Sequence, residues 1–113
     1  MEAAPVLSVD AKRREEIERH VQALQSGDAD GKEHAAWALS RPAWNNAANQ
    51  VAIAEAGGIA PLVALVTNGT AGGQEEAARA LWNLACNDAN KVAIREAGAI
   101  PPLVALVRSG TAD

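Results

Sequence analysis

The residues of this sequence that could do covalent chemistry are few and poorly placed for it. Cys86 is the only cysteine, and the two histidines, His20 and His34, are 14 positions apart. No Ser, Thr or Cys forms a recognisable nucleophile motif with either histidine. The histidines also lack further Cys or His partners at the spacing of a zinc site. We therefore predict a protein that is not an enzyme, has no metal site and needs no cofactor.

Paired acidic and paired glycine residues do not change that prediction. Adjacent residues on a helix, such as Glu75 and Glu76, point about 100° apart, so they cannot flank one bond as an acid and a base. The pair Gly72 and Gly73 lacks the Lys-Ser/Thr that follows in a phosphate-binding loop. We interpret these pairs as solvated charge and as corners between helices, and we expect Cys86 to be a buried thiol at a small-residue position.

Composition and charge limit the class of partner. The 113 residues fit one domain, and the net charge of -4 argues against nucleic acid or an anionic membrane as partner, because both require a basic patch. A weakly basic protein fits better. One cysteine excludes an intramolecular disulfide, and the N-terminus lacks the layout of a signal peptide, so we expect a cytoplasmic or nuclear protein. The longest apolar run, 99–107, is shorter than the roughly 18 residues of a membrane helix.

The elements that position these residues come from an internal repeat. Residues 49–72 match residues 90–113 at a shift of 41, with 17 of 24 positions identical, and residues 21–39 match 63–81 at a shift of 42. Self-similarity at such a period is the signature of stacked helical units.

Glycine, proline and asparagine divide each unit into a short helix, an apolar helix and an alanine-rich third helix. The apolar helix carries aliphatic side chains on nearly all sides and must be buried. The third helix is predicted to begin near Asp30, with Glu33 in a capping-box pattern, and near Gly73 in the next unit. The other predicted boundaries are Asn49 and Asn90 as caps of the short helix, Gly57 and Gly98 at its left-handed end, and Pro61, Pro101 and Pro102 in the first turn of the apolar helix.

A unit of this size and order resembles the armadillo repeat, as found in importin α and β-catenin. The segments VAIREAGAIPPLVALV and EEAARALWNLACND carry the resemblance, which covers residues 13–113. It implies an all-α fold, a right-handed α-solenoid of about two and a half repeats. It further implies a concave groove, lined by third helices, that holds peptides or segments of partner proteins. We therefore expect a protein-protein interaction scaffold.

The copies divide the chain into four segments. Residues 1–10 are an N-terminal extension, and 11–47 are a partial, cap-like repeat with only second and third helices. Residues 48–89 form one complete repeat, and 90–113 form a partial repeat with first and second helices only.

The resemblance also implies groove residues. In importin-like repeats the third helix carries a Trp that walls a pocket and, four residues on, an Asn that holds the peptide backbone. Alignment gives Trp37 with Arg41 in the first unit and Arg79 with Asn83 in the second, so each unit keeps half of the pair. The two arginines would repel a lysine-rich peptide and suit a carboxylate-bearing or carbonyl-rich ligand. A solvated face without a ligand is the alternative interpretation of these four residues.

Two further tryptophans are possible contacts. Trp82, one residue before Asn83, is expected to turn toward the groove edge or the neighbouring repeat, where packing is favoured over binding. Trp44 follows Pro42, which is expected to kink or end the third helix. A contact role and a loop-packing role for Trp44 both remain open.

The second candidate surface is the apolar C-terminal helix. In a repeat array each unit contacts only its neighbours, and nothing in this chain follows that helix to cover it. More chain in a longer parent or a second copy could supply the cover. We predict a homo-oligomer, a dimer or larger, through Ile100, Leu103, Val104, Leu106 and Val107.

Overall fold

The computed structural model describes residues 9–43 and 46–109, and the secondary structure of this part of the chain is entirely α-helical. Trp44 lies outside the described residues. Seven helices follow one another there: α1 (Val9–Ser26), α2 (Ala29–Ala43), α3 (Ala47–Glu55), α4 (Ile59–Asn68), α5 (Ala71–Leu84), α6 (Asp88–Glu96) and α7 (Ile100–Ser109).

The short helices α3 and α6 begin three residues earlier than predicted. The side chain of Asn46 accepts a hydrogen bond from the Asn49 amide at 2.9 Å, and Asn87 accepts from Asn90 at 3.0 Å. Asn46 and Asn87 are therefore the caps, and the predicted caps are their N3 partners. An asparagine stands at both positions of each unit, so the local sequence does not separate them.

The third helix of the first unit also has a different cap. Asp28 Oδ1 accepts from the Gly31 amide at 2.8 Å, so the helix starts at Ala29 and the predicted capping box of Asp30 and Glu33 is wrong. In α5 the hydroxyl of Thr70 has this role and accepts from the Gly73 amide at 3.1 Å.

The glycine and proline predictions are confirmed. Gly57 and Gly98 have φ of 85° and 86°, the left-handed region that residues with a Cβ avoid. Pro61 is the third residue of α4, and its missing N–H falls among the donors that a first turn leaves without helical partners. Pro42 is the penultimate residue of α2, which is described as far as Ala43.

The third helices α2 and α5 lie side by side, and α5 also packs against α4. Small buried residues, among them Ala36, Ala77 and Ala80, let the α2 and α5 backbones approach closely. Large side chains fill the space between the layers, and each one fully buried contributes about 1.5–3 kcal/mol of stability. The largest of these side chains are Leu39, Ile53, Leu62, Val66, Leu81 and Leu84.

Buried amide side chains join successive units. Asn90 Nδ2 donates to the carbonyls of Leu84 and Gln50, each at 3.1 Å, and Asn49 Nδ2 donates to the Pro42 carbonyl at 2.8 Å. Leu84 and Pro42 lie at the ends of third helices, where carbonyls have no helical donor. Asparagine side chains of the short helices therefore donate hydrogen bonds to the free carbonyls at the ends of α2 and α5, the helices that form the candidate site.

Candidate functional site

One face of the α2–α5 pair carries a group of accessible polar and aromatic side chains. Asp30, His34, Trp37 and Arg41 recur along α2 at helical spacing, and all four are exposed. On α5 they are joined by Glu76 and Arg79. We call this surface the α2–α5 face, and it contains three of the four groove residues that the sequence predicts.

Trp37 is the centre of a stack along α2. The Arg41 guanidinium carbon lies 5.1 Å from the centre of the Trp37 ring, a cation–π distance. The His34 ring, three residues before Trp37 in the sequence, has its centre 5.6 Å from that of the Trp37 ring. The centre of the His20 ring of α1 lies 6.4 Å from that of the His34 ring. The indole keeps 39% of its surface exposed, so a partner could still contact it.

Two cavities meet at Trp37. One, of about 300 Å³, is lined by three carboxylate residues together with His34 and Trp37. The carboxylates are Asp30, Glu33 and Glu76. The other, of about 330 Å³, lies between α1 and α2, and Arg13, Glu16, His20 and Arg41 are its polar lining. Trp37 therefore lines both cavities, one with three carboxylate residues and one in which two arginines lie with Glu16.

The two α5 residues predicted for the groove differ in their surroundings. Arg79 projects into solvent and forms an ion pair with Glu76 at 3.2 Å. Asn83 does not face the groove, because it is buried and its Nδ2 donates to the Ser40 carbonyl of α2 at 2.8 Å. The prediction that the Asn83 amide is open to a peptide is wrong. That amide instead joins α5 to α2.

Trp82 and Cys86 are exposed, so the packing role favoured for Trp82 and the expected burial of Cys86 are wrong, while Trp82 stays a possible contact. Trp82 has 78% of its surface accessible, whereas Ser40, its equivalent 42 positions earlier, has 2%. Ser40 is covered by α5, and no helix among the described residues covers the corresponding side of α5. Cys86 follows the end of α5 and is likewise exposed. Both errors come from neglecting which helix lies next to α5.

The apolar helix α7 is open on one side only. Ile100, Val104 and Val107 are exposed, in agreement with the prediction that this helix lacks a cover. Leu106 is buried, so its predicted place in a self-association surface is wrong, and Leu103 is partly buried. These two leucines point toward the chain's own core.

Among the described residues, His20 of α1 is the titratable group with a shifted pKa. Partial burial lowers the pKa of His20, and the nearby His34 and Arg19 lower it further, while Glu16 acts in the opposite direction. Neutral imidazole is therefore the form that suits the stack with His34.

The described residues contain no group of three or more His, Cys, Asp or Glu side chains able to hold a metal ion. In the same part of the chain no single helix is long and apolar enough to cross a membrane, although α3 and α4 satisfy the test as a pair bent by 83°.

The comparison with family models decides what the repeated helices are. The model described as Armadillo/beta-catenin-like repeat matches residues 46–86 and 87–113. The chain belongs to the armadillo repeat family. Armadillo repeats form all-α solenoids and generally serve as protein-interaction scaffolds. A search of curated proteins and a search of solved structures found no match to this armadillo chain.

The armadillo match does not test the boundaries of the four predicted segments, which stay predictions. Residues before 46 are outside the match, so the assignment of α1 and α2 to a partial repeat depends on their equivalence to α4 and α5. His34 and Glu76 were named in the sequence analysis but were not predicted as groove residues. They could have been found, because His34 stands three residues before Trp37 and Glu76 three before Arg79, on the same helix faces.

Proposed function

We propose that this armadillo chain is a non-catalytic scaffold that holds an extended segment of a partner protein on the α2–α5 face. One observation carries the proposal: Trp37 remains 39% exposed where both cavities meet. Burial of an aromatic ring is a major source of binding energy at interfaces. An indole held between neighbouring side chains also loses little conformational freedom when a partner binds.

The charges of the α2–α5 face favour a weakly basic segment over a carboxylate-bearing one. Arg79 already pairs with Glu76, and Arg41 already lies over Trp37. The cavity beside Trp37 also has the carboxylates of Asp30 and Glu33 in its lining, and these attract a Lys or Arg side chain of the partner. We therefore propose a cationic side chain at this cavity, instead of the carboxylate-bearing or carbonyl-rich ligand expected from the two arginines alone.

The test is selection of binders from a displayed library of random peptides, followed by affinity measurement on single variants. We expect Trp37→Ala to weaken a selected peptide by at least about 10-fold, the loss typical of an interface residue that matters. Asp30→Asn should weaken peptides that contain Lys or Arg, because it removes an exposed carboxylate of that cavity. The matched control is Val51→Ala, because Val51 is as exposed as Trp37 but lies on α3.

Retention of full affinity by Trp37→Ala would contradict the proposal. Enrichment of Asp and Glu in the selected peptides would contradict the proposed charge while leaving the α2–α5 face as the site. The two results are separable in one selection experiment.

A second candidate function is self-association through α7. The observation that favours it is that three apolar residues on one side of α7 are exposed: Ile100, Val104 and Val107. Exposed apolar patches of this kind mark interaction sites.

A further inference from the structure

We infer that Trp82 and the open side of α7 form a single interface, and that its occupant is the same interface of a second copy. We call this surface the end face and define it by Trp82, Ile100, Val104 and Val107. The inference rests on the proposed self-association and adds to it an anchor residue on another helix and a closed, two-fold arrangement.

The repeat itself shows that these residues belong to one surface. Their equivalents in the preceding unit are all buried, and they are Ser40, Ile59, Val63 and Val66. α5 packs against both helices that carry them. Asn83 of α5 donates to the Ser40 carbonyl, and Gln74 Nε2 donates to the Val66 carbonyl at 3.2 Å. A helix placed over α5 and α7 as α5 lies over α2 and α4 would cover the whole end face.

Trp82 changes what can bind there. The equivalent Ser40 is small and allows the α2 and α5 backbones to approach closely. An indole in that position would hold an incoming helix farther away unless a recess receives the ring. A shallow recess of this kind lies on the exposed side of α7 and is lined by Ile100, Pro101, Val104, Ala105 and Arg108. The Arg108 guanidinium at its edge can lie over an aromatic ring.

The surface area that a dimer interface must bury indicates that Trp82 is its main contact residue. A specific interface buries at least about 1,000 Å² in total. A buried aromatic side chain contributes on the order of 150–250 Å². A symmetric dimer buries the Trp82 side chain of each copy, and the two together supply about a third of the required area. The three aliphatic residues of α7 alone would leave a smaller and weaker contact.

The apolar surfaces of the chain identify the occupant as the end face of another copy. The N-terminal helix α1 turns Ile17, Val21 and Leu24 inward and presents polar residues outward. Among the described residues, the exposed large apolar side chains outside the end face are Trp37, Val51 and Val92, each on a different helix. The end face therefore finds its best apolar counterpart in itself, which gives a closed dimer with Trp82 of each copy in the α7 recess of the other.

The experiment is light scattering of the 113-residue chain over a concentration series, on wild type and three variants. Trp82→Ser introduces the residue found at the equivalent position of α2. Val104→Asp tests α7, and Val92→Asp is its control, because the two valines are 44% and 43% exposed. Far-UV circular dichroism verifies that each variant stays helical.

We expect wild type and Val92→Asp to be dimers with the same dissociation constant. Trp82→Ser should raise that constant at least about 30-fold, the loss that defines an interface hot spot, and Val104→Asp should give a monomer. A dimer that is disrupted by Val104→Asp but not by Trp82→Ser would overturn the inference about Trp82 and leave self-association standing. A wild-type chain that is monomeric throughout would overturn both, and species larger than a dimer would overturn the closed arrangement.

Discussion

Val66 and Val107 are equivalent residues of successive repeats, yet Val66 is 1% exposed and Val107 is 71% exposed. They stand at the same position of two apolar helices of nearly identical sequence. The difference is made by α5, which lies over α4 and has no counterpart over α7 among the described residues. One sequence motif thus produces a core residue in one copy and an accessible apolar residue in the next.

The pair gives a direct prediction for stability. Val66→Asp should unfold the chain or destabilise it by more than about 3 kcal/mol, because a carboxylate would lie unpaired in the core. Val107→Asp should change the free energy of unfolding by about 0.5 kcal/mol or less, the usual range for surface substitutions. Urea denaturation at protein concentrations low enough to give monomer measures both. Equal effects of the two substitutions would show that α7 is as well covered as α4.

Asn83 is predicted to be a stability residue. Its amide donates to the Ser40 carbonyl between α2 and α5, so Asn83→Ala leaves a buried acceptor without its donor and should cost about 1–3 kcal/mol. The control is Arg79→Ala, one turn earlier on the same helix, where the ion pair is exposed to solvent and should contribute less than about 1 kcal/mol. If both alanine variants unfold at the wild-type urea concentration, the Asn83 bond does not stabilise the packing of α5 on α2.

The lowered pKa of His20 predicts a pH dependence of stability. Because its pKa is lower in the folded chain than the unfolded value of 6.5, the unfolded chain binds the proton more readily. The contribution of His20 is therefore full above pH 6.5. It is lost as the pH falls through 6.5 toward the folded pKa. Urea midpoints at pH 7.5 and 5.5, compared between wild type and His20→Gln, measure it, and an identical pH dependence of the two proteins would contradict the prediction.

Where the residues of one helix decide the outcome, the predictions from sequence succeeded only if a single position fits the required residue type. Gly57 and Gly98 have their predicted left-handed backbone because a helix end of this type requires it, whatever lies nearby. The cap predictions failed by three residues, because Asn46 and Asn49 are equally good caps by residue type. Neither the glycine conformations nor the cap positions depend on packing against a neighbouring helix.

The site predictions failed where a neighbouring helix decides. Asn83 is buried because α5 packs on α2, and Trp82 is exposed because nothing described packs on the other side of α5. The one-residue step between them turns the side chain by about 100°, which separates an interface from solvent. The 42-residue shift aligns Trp82 with Ser40, which α5 covers. The alignment therefore predicts the exposure of Trp82 only when it is already known which side of α2 is covered by α5.

The most direct test of the scaffold function is a nuclear magnetic resonance titration of ¹⁵N-labelled chain with a peptide selected from the displayed library. We predict that the Trp37 indole N–H and the α2 and α5 amides of the α2–α5 face shift with added peptide, while the Trp82 indole and the Val51 amide of α3 do not. Shifts confined to the end face or to α3 and α6, with the Trp37 indole unchanged, would contradict the assignment of the α2–α5 face as the surface that binds partners.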